Sequence, residues 1–338
     1  MAHLSTVSTY VPKGADSLGL PRHLSTSQRD MLSVHEMTEL AADQIEPALL
    51  IKAAESLAAS FHCGSLFQGE HFWPIQNSLQ QSILNKTTAG SATEIRQFCS
   101  GGLFGIMLAD AVLEAGWAGD YAMVTGGDSN FIFDRYEYAE SAATEGSLMG
   151  DSAFCTILNK DKGFAEIIAV SARSYNPSAD EMRSRADYGI DDPSFPELSD
   201  WTARFTNSAN TNPQLAAYNA RESFKTAVST ITDCYQRAGI RAEEVDWFAP
   251  SFIRPRYMSE LIAKRTHLRP DYRLYEFGER FGHLTVSDFC LNLAYLMNGK
   301  IARSGDLVLL FSSGNFVNSA AVLIRIEEEV ELPLNVAL

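Results

Sequence analysis

Cys99, His283 and Asp288 are the residues of this chain whose types and settings suit nucleophilic catalysis. Cys99 lies in Phe98-Cys99-Ser100-Gly101-Gly102-Leu103, immediately before a long apolar run. Paired glycines permit a tight strand-to-helix turn with exposed main-chain N–H groups. A thiol at a helix N-terminus meets the positive end of the helix dipole, which favours the thiolate, and the same N–H groups can receive a developing oxyanion. The plainer reading is that cysteine is a small residue often found in cores. His283 lies in Phe281-Gly282-His283-Leu284, a loop before a second apolar run. Near a thiol it could take the proton and return it as general acid; otherwise it is a loop histidine with a structural hydrogen bond. Asp288 follows five residues later. It either orients the imidazole or is an acidic residue in the first turn of a helix.

An internal repeat is what would bring these residues together. Gly119-Asp120 leads into the apolar run Tyr121–Thr125 and then Gly126-Gly127. Gly305-Asp306 leads into Leu307–Phe311 and then Ser312-Ser313-Gly314, at an offset of 186 residues. Each is preceded by a long apolar stretch, Leu103–Leu113 and Phe289–Met297. Both copies read as buried helix, Gly-Asp turn, interior strand and glycine turn. Cys99 precedes Gly119 by 20 residues, and the matching position before Gly305 is residue 285, beside His283. Two related halves packed about a pseudo-twofold axis would join these helix starts.

The helix Leu103–Leu113 is apolar on every side except at Asp110, as expected for a helix between two sheets. Amphipathic, exterior helices are expected at about Met37–Ser60 and Ala217–Ala238, the second stopped by Gly239 and followed by a strand at Val245-Asp246-Trp247-Phe248. Residues 171–214 are rich in polar and turn residues and break this rhythm, either as a surface loop or as a lid and pocket wall. The expected organisation is an N-terminal half over 1–170, the loop region 171–214 and a C-terminal half over 215–338.

Composition narrows the possible functions. The chain carries 27 Lys and Arg against 42 Asp and Glu, a net charge of −15, which argues against general binding to nucleic acid or anionic membranes. No apolar run reaches the ~18 residues a membrane span needs. The first residues lack a charged segment followed by an apolar core, so a secretion signal is not expected. Five widely spaced cysteines, without a C-x-x-C pair, suit a reduced cytoplasmic protein with no disulfide framework and no structural metal.

Several segments together resemble the β-ketoacyl-acyl-carrier-protein synthase III branch of the thiolase-like enzymes. Ser8-Thr9-Tyr10-Val11-Pro12 is similar to that family's first strand, and Phe98-Cys99-Ser100-Gly101-Gly102 to its nucleophile elbow. Met149-Gly150-Asp151-Ser152-Ala153 is similar to its F-G-D-G-A strand entry. Ala238-Gly239 through Trp247-Phe248-Ala249-Pro250 resembles its helix and V-P strand end, and Gly305–Leu310 with Gly314 its last strand and glycine loop. The resemblance implies an α/β thiolase-like five-layer αβαβα fold of two similar halves, a homodimer, and an oxyanion hole from the backbone of Cys99 and Gly314. Substrates would be acyl thioesters of phosphopantetheine or coenzyme A, with no bound cofactor.

Two departures change the expected reaction. The family's condensing members carry histidine after the V-P dipeptide, where this chain has Ser251, and asparagine after a glycine, where it has Gly282-His283. Condensation needs donors gathered on a thioester oxygen as enolate charge builds, and losing one costs ~3 kcal/mol, about a hundredfold in rate. Transfer to a hydroxyl or amine forms no carbanion. The G-H-L-x-x-x-D pattern resembles acyltransferases of natural-product pathways, in which histidine and aspartate activate an acceptor. The expected function is transfer from a carrier-protein or coenzyme A thioester through a Cys99 acyl-enzyme to a small-molecule acceptor in secondary metabolism. Alternatives are a condensing enzyme, a non-catalytic ketosynthase partner subunit, or a thioesterase. Ser251 is either an auxiliary hydrogen-bond donor or a space filler. Arg254, Arg256, Lys264, Arg265, Arg269 and Arg273 form a local basic excess against Glu260 and Asp271, which suits docking of an acidic acyl carrier protein or is a solvated helix face. The family's tryptophan and arginine clamp for coenzyme A is not recognisable in residues 13–36, which favours a carrier-protein donor.

Overall fold

The computed structural model describes residues 1–12, 32–65, 72–86, 90–129, 150–182, 210, 212–252, 256–278, 280–314 and 317–337. Strands β1 (His3–Tyr10), β2 (Leu57–Gly64), β3 (Ser91–Arg96), β4 (Tyr121–Asp128) and β5 (Ser152–Asn159) lie in the order β3-β2-β4-β5-β1. β2 runs parallel to β3 and β4, whereas β5 is antiparallel to both β4 and β1. Strands β6 (Ala165–Ser174), β7 (Trp247–Pro250), β8 (Leu307–Gly314) and β9 (Asn318–Ile326) repeat this plan in the order β7-β8-β9-β6, with β7 parallel to β8 and β9 antiparallel to both its neighbours. The place matching β3 is taken by a single parallel bridge between Phe248 and Pro270. Equal strand order and direction in both halves are the structural form of the repeat. The halves join where His3 and Leu4 of β1 meet Glu166 and Ala165 of β6.

Side-chain alternation builds the layers. In β4, Ala122 and Val124 enter the central core while Met123 faces the outer helices α1 (Val34–Ala42), α2 (Pro47–Glu55) and α3 (Ile75–Leu84). In β8, Val308 and Leu310 enter the same central core, while Leu309 and Phe311 face α5 (Pro213–Arg237) on the opposite outside. Between the sheets lie α4 (Gly101–Glu114) and α8 (Asp288–Asn298). The succession helix, sheet, helix, sheet, helix is the expected five-layer arrangement, because sheets covered on both faces must be apolar on both. Two shorter helices, α6 (Arg256–Arg265) and α7 (Tyr272–Gly278), precede α8. Among the described residues, no helix is long and apolar enough to cross a membrane.

The Gly-Asp turns behave alike in both halves. Gly119 has φ +129° and Gly305 has φ +94°, conformations that disfavour a side chain. Gly239 ends α5 at φ +69°, as its sequence position suggests.

The structure corrects several boundaries. The single helix expected over Met37–Ser60 is two helices followed by a strand. Pro47 opens α2 because it cannot donate a hydrogen bond into a preceding turn, and Ser60 lies in β2. A capping box between Ser33 and Glu36 starts α1. The strand expected from Val245 begins at Trp247, because Ala242–Glu244 form a short 3-10 turn. α4 is not buried all round: Leu108 is exposed and Phe104 half-buried, while Asp110 is buried and accepts a hydrogen bond from the Ala2 amide at 2.7 Å. Within the loop region 171–214, residues 171–174 continue β6, a 3-10 segment spans Asn176–Met182, and 183–209 and 211 lie outside the described residues.

Candidate active site

Each half begins its central helix with the same local device. Phe98 and Thr285 are non-glycine residues at φ +51° and +53°, and each opens one 3-10 turn, Phe98–Ser100 or Thr285–Ser287, that passes directly into α4 or α8. An L-residue in this left-handed region costs ~1–2 kcal/mol, which the surrounding packing must offset. The structural partner of Phe98 is therefore Thr285, and that of Cys99 is Val286. His283 sits three residues ahead of Val286, on the incoming loop.

The two helix starts touch through glycine. A Cβ on Gly102 would lie 2.3 Å from Val286 O and 2.6 Å from the Phe289 ring, and one on Gly101 3.2 Å from the Val286 side chain. This closeness brings His283 Nε2 to 2.9 Å from Cys99 Sγ, across 184 residues of sequence. The other ring nitrogen, Nδ1, donates to Asp288 Oδ2 at 2.5 Å. Asp288 is itself fixed: Leu284 N donates to Oδ1 at 2.7 Å and Phe252 N to Oδ2 at 2.9 Å. Sulfur, imidazole and carboxylate thus form a line in which the carboxylate sets the tautomer and the free ring nitrogen faces the sulfur.

Electrostatics follow from this packing. Burial opposes a charged imidazole at His283, but the Asp288 carboxylate and the Cys99 sulfur outweigh it and hold the ring's proton affinity well above the ordinary histidine range. A protonated ring would present its Nε2–H to the Cys99 sulfur. The other four cysteines are buried and poorly suited to this chemistry. Burial pushes Cys155 and Cys234 up to about 12, and Cys63 and Cys290 well up from their ordinary value. Cys99 alone among the five is part-exposed.

The end of β8 closes over the elbow. A Cβ on Gly314 would meet Gln97 O at 2.7 Å and Cys99 N at 3.3 Å, so only glycine lets the two main chains approach. Ser312 Oγ donates to Cys99 O at 2.8 Å. Ser251 Oγ donates in turn to Ser312 Oγ at 2.7 Å, and Ser251 N to Phe311 O at 3.0 Å. Ser251 is thus engaged with β8, and it meets the elbow only through Ser312.

The structure brings Cys99, His283, Asp288 and Gly314 together and puts Ser251 one residue removed. Lys264, Arg265 and Arg269 are exposed, the first two at the end of α6. Arg273 pairs with Asp271 at 2.7 Å and lies over the Trp247 ring. Arg256 opens α6, and Arg254 lies outside the described residues. Ser312 and the main-chain donors of Leu284 and Phe252 were not singled out from the sequence. The 186-residue offset marks the end of β8 but not what its side chains meet. Among the described residues, no group of three or more His, Cys, Asp or Glu side chains could hold a metal ion.

Residues 235–326 match the family model for the 3-oxoacyl-[acyl-carrier-protein (ACP)] synthase III C terminal. A β-ketoacyl-[acyl-carrier-protein] synthase III of Brucella canis is 26% identical over 250 residues, covering 70% of this chain and 68% of that protein. Among solved structures, the ChlB3 acyltransferase superposes with a TM-score of 0.79 at 20% identity, over 97% of this chain and 98% of that one. The 3-oxoacyl-[acyl-carrier-protein] synthase III of Aquifex aeolicus gives 0.70 at 17%, over 96% and 100%. The superpositions show a thiolase-like fold of the synthase III type, and residues 235–326 are similar to the C-terminal part of such synthases.

Proposed function

We propose that the protein is an acyltransferase that carries an acyl group from a carrier-protein or coenzyme A thioester, through a thioester on Cys99, to a hydroxyl or amine of a small acceptor. The Cys99–His283–Asp288 line supports this reading most strongly, because it places one base at the sulfur and orients it with a buried carboxylate. In the first half-reaction, the Cys99 thiol passes its proton to His283 Nε2 as its sulfur attacks the donor carbonyl, and the C–S bond to the donor breaks. The departing thiolate takes the proton from His283. In the second, His283 Nε2 accepts the acceptor's proton as its oxygen or nitrogen attacks the acyl carbon, and the Cys99 thiolate leaves. The amides of Cys99 and Gly314 would hold the oxyanion in both steps.

Decarboxylative condensation is the second reading, supported by the synthase names of relatives such as the Brucella canis protein. Ser251 weighs against it, since its hydroxyl is spent on Ser312. The acyl-enzyme, given separately a malonyl thioester and a panel of alcohols and amines, distinguishes the two. Transfer without loss of carbon dioxide supports acyl transfer, whereas carbon dioxide release with a β-ketoacyl product supports condensation. A homodimer would cover the outward stripe of Phe104, Leu108 and Ala111 on α4, and sedimentation would show it. Donor docking on Lys264, Arg265 and Arg269 predicts that carrier-protein-dependent turnover falls as salt rises.

A further inference from the structure

The loop that carries His283 is held by strand ends from the other half of the chain. Gly150 N donates to His283 O at 2.9 Å, and Ser152 Oγ to Leu284 O at 3.3 Å. A Cβ on Gly150 would lie 2.5 Å from Phe281 O, so this contact requires glycine. The third hold comes from Asp128, the last residue of β4. It is fully buried, and its Oδ1 accepts from Ser65 N at 2.8 Å. Its Oδ2 accepts from the Thr285 hydroxyl.

Thr285 is where such a hold matters. It is β-branched yet sits at φ +53°, the conformation that turns the chain from the His283 loop into α8. A β-branched side chain disfavours this region, so something outside the turn must maintain it. The repeat sharpens the point. Asp128 ends β4 as Gly314 ends β8, at the same 186-residue offset. Gly314 packs on the turn at Phe98, and Asp128 bonds to the turn at Thr285. One strand end leaves room beside the nucleophile, whereas its counterpart supplies a buried carboxylate to the turn that follows the base.

We infer that Asp128 is a positioning residue for His283: by bonding the Thr285 hydroxyl it fixes the left-handed turn that aims the imidazole at the Cys99 sulfur. It touches neither sulfur nor ring and acts through Thr285. The inference uses the proposed pairing of His283 with Cys99 but not the acyl-transfer reaction.

Alkylation of Cys99 by iodoacetamide at neutral pH, followed by intact mass, reads that pairing without donor or acceptor. Thr285→Val removes the hydroxyl and keeps the shape, whereas Thr285→Ser keeps the hydroxyl. Thr285→Val is expected to slow alkylation about tenfold, toward the rate of His283→Ala, while Thr285→Ser stays within about twofold of wild type. In a His283→Ala background, Thr285→Val should add nothing, because both changes remove one effect. Asp128→Ala, which removes the group that bonds the Thr285 hydroxyl, should behave like Thr285→Val. Wild-type alkylation in folded Thr285→Val, or an added tenfold loss in the His283→Ala background, would overturn the inference. Unfolding of both Thr285→Val and Asp128→Ala with Thr285→Ser intact would overturn it too, since the contact would then serve stability. Wild-type protein that alkylates readily but never accepts an acyl group would refute the proposed reaction and leave the inference standing.

Discussion

Replacing Asp288 by asparagine keeps the side chain's size and removes its charge. The carboxylate now receives three donors: His283 Nδ1, Leu284 N and Phe252 N. A carboxamide has one oxygen, so in either orientation its NH2 group faces a main-chain N–H, at a cost of ~1–3 kcal/mol in stability. With the oxygen toward Phe252 and His283, the tautomer survives and only the charge-assisted part of the bond is lost, roughly 1.4 kcal/mol or a factor of ten. With nitrogen toward His283, Nδ1 must accept, and the ring proton moves to Nε2, facing sulfur. The ring can then no longer take the acceptor's proton, and the loss approaches ~10⁴-fold. We therefore expect release of a preloaded Cys99 acyl group to slow by ~10- to 10⁴-fold. Single-turnover release to acceptor, followed by quench and intact mass, measures it. Release at the wild-type rate would refute the triad and leave Asp288 as an anchor for the Leu284 and Phe252 amides.

His283→Ala should still form the acyl-enzyme, more slowly, but pass it to acceptor at least ~100-fold more slowly, because a neutral hydroxyl needs a base as it attacks; single-turnover rates of the two half-reactions check this. Gly102→Ala should destabilise the fold by ~1–3 kcal/mol or more, since its Cβ would meet Val286 O at 2.3 Å, and it should also depress alkylation of Cys99 by spreading the helix starts; urea unfolding and alkylation rates read the two effects. Burial holds His62 at about 3, so between roughly pH 6.5 and 3 the unfolded chain binds a proton there that the native chain does not. Stability should fall as pH falls through that window, by up to ~5 kcal/mol from this group, and His62→Gln should flatten the profile in urea titrations.

The parts of this fold legible in sequence were those whose residues declare their surroundings locally. α4, α8, β4 and β8 are apolar runs bounded by glycine turns, and so few polar residues leave few other readings, even though α4 exposes Leu108. The break between α1 and α2 was missed because the amphipathic pattern continues through Pro47, while the capping box at Ser33 and Glu36 depends on side-chain geometry. Cys99 and His283 could be paired in advance because the repeat supplies a pseudo-symmetry. Asp288 stood open between an orienting carboxylate and a first-turn helix acid, and in the fold it is both bonded to His283 and in the first turn of α8. Ser312 and Asp128 could not be read, since their partners are 213 and 157 residues away and only the folded chain brings them within reach. Ser251 shows the converse: its place in the sequence pattern was visible, but its engagement with Ser312 required the packed β7–β8 edge.

The central claim is a covalent acyl group on Cys99. Intact mass after incubation with a panel of acyl-carrier-protein and coenzyme A thioesters measures it directly. The account predicts a gain of one acyl mass in wild-type protein with a suitable donor, located on the peptide containing Cys99, and no gain in Cys99→Ala. Acylation that persists in Cys99→Ala would contradict it.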